Sequence, residues 1–149
     1  MKNIIIFFLP CLLIWSCNSS DKTKSTADYS KKNNTHQNSE ISGSIERGAQ
    51  VYNSLCVTCH MLNGKGVPKS FPPLANSDYL LNNRIESIKA IKYGLSGEIK
   101  VNGEIYNMPM AAFGLSDAEI AEVMNYITNS WGNKNSSLIT EKEVSKITP

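Results

Sequence analysis

Cys56-Val57-Thr58-Cys59-His60 constrains this chain more than any other stretch. Cysteines at i and i+3 on a helical turn share one face, and a histidine directly after the second lies beneath that face. Two thiols so placed reach both vinyl groups on one edge of a haem, and the imidazole meets the iron from one side. A structural disulfide, a thioredoxin-like redox pair and half of a zinc site share the Cys-x-x-Cys spacing. Zinc needs about four nitrogen or sulfur ligands, but the other cysteines are Cys11 and Cys17 and the other histidine is His36, all N-terminal. A thioredoxin-like domain needs a strand before the motif and a parallel sheet around it, and no run of β-branched residues supplies them. The motif predicts one covalent haem c, with Cys56 and Cys59 as its thioethers and His60 on its iron.

Export suits such a site, because attachment must compete with oxidation of the free thiols. Ile4 to Trp15 is an apolar run after a basic start, about half the roughly 20 residues that span a bilayer, so it reads as a signal peptide. It ends at Ile14-Trp15-Ser16-Cys17, which resembles a bacterial lipoprotein signal with Cys17 as the lipidated residue, although Trp15 stands where small residues are usual. Residues 1–17 are therefore expected to form a lipoprotein signal, placing an anchored protein on the periplasmic side of a membrane. From Asn18 to Gly43 the only apolar residues are Ala27, Tyr29 and Ile41. With so little to bury, 18–43 is expected to be a disordered tether, and His36 within it a solvated residue.

The folded part, 44–133, carries little net charge. From Ser44 to Gly132 there are seven Lys/Arg against eight Asp/Glu, so no basic patch suggests nucleic acid. A domain of this size buries a modest fraction of its surface, and a covalent haem would complete its apolar core. Ser44 is expected to cap a helix reaching Leu55, with Gly48 permitting a close helix crossing. Asn63 to Pro68 and Phe71-Pro72-Pro73-Leu74 force an extended loop past the expected haem face. A proline-fixed carbonyl there would accept the His60 Nδ1 proton.

A turn is expected over Asp78–Leu81 and a helix over Arg84–Tyr93, with Ile85, Ile88, Ala90 and Ile91 apolar and Gly94 as its cap. Alternation around Asn102-Gly103 predicts a hairpin over Ile99–Ile105. It presents a non-helical loop, Tyr106 to Phe113, holding Met108 and Met110. Ser116 and Glu119 form a capping box for a last helix through Ile120, Val123, Met124, Ile127 and Trp131. Residues 134–149 read as a polar tail with a short, weakly docked helix after Thr140.

Taken together, the attachment motif, Phe71 to Leu74, the hairpin, the methionine loop, Leu115 to Ile120, Asn125-Tyr126-Ile127 and Trp131-Gly132-Asn133 resemble the class I single-haem c-type cytochromes. The likeness runs from about Ile45 to Asn133. It implies an all-α fold around one haem, with a small hairpin before the methionine loop and a helix crossing at Gly48, Tyr52 and Tyr126. It assigns the carbonyl facing His60 to Pro72 and the second iron ligand to a methionine. In similar chains that ligand falls four residues after the Tyr of a Tyr-Asn pair and five before the Leu of Leu-Ser-Asp. Both counts reach Met110; the Met-Pro dipeptide common there makes Met108 the alternative. With both axial positions filled, the implied role is one-electron transfer between redox proteins, donor and acceptor, rather than catalysis. The contrasting expectation is a haem enzyme or gas sensor with an open sixth iron position.

Overall fold

In the computed structural model the backbone is described from Thr26 to Pro149 and the side chains from Ser39 onward. The expected signal sequence and Cys17 lie outside the described residues. Helix α1 spans Thr26–Leu55, α2 Val57–His60, α3 Asp78–Asn82 and α4 Arg84–Tyr93; strands β1 (Ile99–Val101) and β2 (Glu104–Tyr106) follow, then α5 (Asp117–Ile127) and α6 (Glu141–Ser145). No helix among the described residues is long and apolar enough to cross a membrane.

The disorder expected over 18–43 is corrected for 26–43, which continue α1. This stretch has no proline and no glycine before Gly43, and extending a packed helix needs no new nucleus. Ser44 is accordingly not a cap: it is buried inside the helix, where its Oγ accepts a hydrogen bond from Asn125 Nδ2 at 2.9 Å.

Helices α1 and α5 cross where the glycine permits it. A Cβ on Gly48 would overlap the Glu122 carbonyl and stand 2.9 Å from the Tyr126 Cβ. Tyr52, fully buried, lies 5.3 Å from the Tyr126 ring and 5.1 Å from the Trp131 ring, in tilted arrangements that favour aromatic pairs. Arg47 and Glu122 pair at the rim of the crossing.

The capping box of α5 forms on both sides: Ser116 Oγ accepts from the Glu119 amide at 3.3 Å, and Glu119 Oε2 accepts from the Ser116 amide at 2.9 Å. Ile120, Val123, Met124 and Ile127 turn inward as the spacing requires. The helix stops at Ile127, short of the expected Trp131. Thr128, Asn129 and Ser130 side chains each donate to the carbonyl four residues back, occupying the last helical acceptors. Trp131 then adopts φ 54, and its Nε1 donates to the Leu62 carbonyl at 3.0 Å.

On α4 the inner positions are Ser87, Ile88 and Ala90, while Ile85 is 57% exposed. At about 100° per residue Ser87, Ile88, Ala90 and Ile91 fall within one sector of the helix, and position 85 lies outside it. The hairpin turns through Asn102 and Gly103 with φ 51 and 89, the left-handed pair of a type I′ turn. Its register pairs Ile99 with Tyr106 and Val101 with Glu104. Asp78 and Asn102 tie it to α3 by reciprocal backbone-to-side-chain bonds of 2.7 and 2.9 Å.

The tail is packed, not loosely docked. Ile139, Val144 and Ile147 belong to the core. Asn125 holds the tail at the α5 side, its Oδ1 accepting from the Ile139 amide and its Nδ2 donating to the Ile139 carbonyl, both at 2.8 Å. From α4, Arg84 pairs bidentately with Glu143 at 2.6 Å and also donates to the carbonyls of Ser137 and Leu138 at 3.2 Å. Three buried apolar residues in a polar stretch suffice because buried polar partners satisfy the backbone between them.

Candidate functional site

The cysteine motif is held as one helical turn at the end of α1. The Cys56 amide donates to the Tyr52 carbonyl at 2.9 Å, and the Cys56 carbonyl accepts from Cys59 at 3.2 Å and from His60 at 2.9 Å. Met61, at φ 62, reverses the chain, and Tyr52 Oη donates to its carbonyl at 2.7 Å. The loop thus returns beneath the motif. The His60 Nδ1 lies 3.0 Å from the Pro72 carbonyl oxygen, so this nitrogen is the donor and Nε2 keeps its lone pair. Gly66, at φ 61, makes room for that carbonyl: a Cβ there would stand 2.6 Å from the Pro72 oxygen. Asn133 fixes the far end of the loop, its Nδ2 donating to the Leu74 carbonyl at 2.8 Å and its Oδ1 accepting from the Asn76 amide at 2.9 Å.

Between this loop, α4, the hairpin and the methionine loop runs a cleft with two lobes. Cys56, His60, Pro72, Leu95, Ile99 and Met110 line both. The inner lobe continues to Leu80, Ile91, Val101, Val123 and Ile127 and is almost wholly apolar. The outer lobe adds Cys59, Leu55, Met108 and Phe113, and among the described residues no Asp, Glu, Lys or Arg lines either lobe.

Burial lowers the His60 pKa, the Pro72 bond opposing it, which favours the neutral imidazole that metals bind. Burial, with the neighbouring Cys59, pushes the Cys56 thiol up to about 11. A redox-active thiol needs the opposite shift, since the thiolate is the nucleophile, so the thioredoxin-like reading finds no support here. Among the described residues no group of three His, Cys, Asp or Glu could hold a metal ion.

Met110 lines both lobes, as His60 does, whereas Met108 lines only the outer one and is 53% exposed. The Met110 backbone pairs with Leu95 through bonds of 2.8 and 2.9 Å. The cleft therefore fits a flat apolar group bearing one metal: two thiols at its edge, a free imidazole nitrogen, a thioether and apolar walls. Ser87 Oγ is the buried side-chain polar atom that, among the described residues, has no partner, and Ser87 lines the inner lobe. Sequence reading missed Ser77, Tyr79, Ser87 and Leu95 as lining residues. Only Ser77 left a local trace, as the cap of α3, where its Oγ accepts from the Leu80 amide at 3.2 Å.

A family model described as Cytochrome c matches residues 45–131. Cytochrome c-552 of Thermus thermophilus is 40% identical over 109 residues, covering 67% of this chain and 82% of that protein. A second cytochrome c-552 of the same organism has the same identity over 109 residues, with 73% of its length covered. The cytochrome c subunit of alcohol dehydrogenase (quinone) from Gluconacetobacter polyoxogenes is 34% identical over 104 residues, covering 67% of this chain and 22% of that subunit.

Proposed function

Since this chain belongs to the cytochrome c family, and is thus a one-electron carrier with haem c, we propose that Cys56 and Cys59 hold the haem by thioethers and that His60 and Met110 bind its iron. The observation that carries this reading is the pairing of a free His60 Nε2 with the Met110 thioether in one apolar cleft. When bound, the haem supplies a one-electron ferric/ferrous couple. The chain's residues set the conditions for that couple. Pro72 orients the imidazole; the walls from Leu80 to Ile127 exclude water and disfavour added charge. A thioether ligand favours the reduced iron. With His60 and Met110 both holding the iron, no coordination site would remain for a substrate. Leu55, Met108 and Phe113, each exposed, rim the opening through which electrons would pass to and from partners. A potentiometric titration of the holoprotein should follow a single one-electron Nernst curve; catalytic turnover of peroxide or nitrite at enzymic rates would sink this reading.

The partners are redox proteins of a bacterial respiratory chain, and the likeness to a dehydrogenase's cytochrome subunit supports a dehydrogenase as donor. The chain is exported and anchored in a membrane by lipid on Cys17, facing the periplasm; the apolar run ending at Cys17 supports this. Stable residence needs more than one acyl chain. Cys17→Ser should therefore release the protein to the soluble fraction, and retention of the variant through a salt wash would place the anchor elsewhere.

A further inference from the structure

The methionine loop leaves β2 at Tyr106 and enters α5 at Asp117 with no helix or strand between, so its course depends on what holds its ends and its middle. Its middle is held by Leu95, which pairs with Met110 two residues beyond the end of α4. The contact is close: a Cβ on Gly94 would stand 2.9 Å from the Met110 carbonyl oxygen. The last turn of α4 therefore dictates where Met110 sits. Its C-terminal end is held by the first turn of α5, and one side chain spans that gap. Lys92 Nζ lies 2.8 Å from Asp117 Oδ1 and donates to the Val144 carbonyl of α6 at 2.9 Å. The side chain is only 17% exposed. Tyr93 Oη adds a 2.7 Å bond to the Ile147 carbonyl. Exposed ion pairs contribute little, but this ammonium has acceptors on two further elements, which favours a fixed geometry.

We propose that Lys92 is a positioning residue for the methionine loop: by joining α4, α5 and α6 it fixes both the Leu95 partner of Met110 and the loop's exit at Asp117. The proposal rests on the reading that Met110 binds iron. Opening of the loop then requires the Lys92 junction to break, and a foreign ligand can reach the iron only from the open state.

The test uses full-length ferric holoprotein, imidazole as the competing ligand, the long-wavelength absorption band of sulfur-bound ferric haem, and thermal midpoints. Lys92→Met and Asp117→Asn should each bind imidazole roughly three- to fivefold more tightly than the parent, the upper end of what a solvent-accessible ion pair contributes. The double variant should go no further than either single one. Arg84→Gln loosens the tail at the other end of α4; it should lower the thermal midpoint yet leave imidazole affinity at the parental value. Unchanged affinity in Lys92→Met and Asp117→Asn, with the sulfur band present in the parent, overturns the positioning role alone. An Arg84→Gln effect equal to theirs also overturns it, because general loosening would then explain all three. Absence of the sulfur band from the parent overturns the ligand reading and this proposal together.

Discussion

Met110→Leu is expected to abolish the sulfur band of the ferric protein and to lower the reduction potential by on the order of 100 mV, within the roughly 0.8 V that axial ligation spans. Leucine keeps the volume and apolar character of the loop, so the walls of the cleft stay closed and the change reads the lost thioether. Met108→Leu should leave band and potential in place, because Met108 lines only the outer lobe and is half exposed. The reverse pattern would move the ligand to Met108. A band surviving both single changes would mean that either thioether can serve.

The second large effect concerns the two thiols. Cys56→Ala with Cys59→Ala should yield a chain with no covalent haem and with much of its helical signal lost, measured by circular dichroism. The cause lies in the lining: Leu80, Val101, Val123 and Ile127 are buried partly against the cleft, not only against one another. An empty apolar cleft forfeits the contacts that its walls would make, and a domain of this size has little stability in reserve. Each single alanine variant should keep the haem on one thioether. A double variant that retained full helicity would mean that packing between α1 and α5 suffices by itself.

The parts of this site that are legible in the sequence are those whose signal is local. Cys56 to His60 fit one helical turn, Asn102-Gly103 fit one turn type, and Ser116 with Glu119 fit one helix start, so each can be read from a few adjacent residues. The parts that are not legible join residues far apart. Asn125 bonds Ser44 and Ile139, Arg84 bonds Glu143, and Lys92 meets both Asp117 and Val144. Nothing next to these residues signals the partner, and the tail reads as loosely docked because its polar residues outnumber Ile139, Val144 and Ile147. Apolar character alone favours Ile85 over Ser87; only helical phase turns Ser87 inward. The early end of α5 depends on Thr128, Asn129 and Ser130 competing for carbonyls, which a pattern of apolar residues does not register.

Covalent attachment at Cys56 and Cys59 can be read on protein produced in a host that exports it and attaches haem. It is tested most directly by extracting the purified holoprotein with acidified acetone and then running it on a denaturing gel stained for haem. The haem should stay with the chain through both steps and leave it only in the Cys56→Ala, Cys59→Ala double variant. Haem passing into the acetone from the unsubstituted protein would contradict covalent attachment.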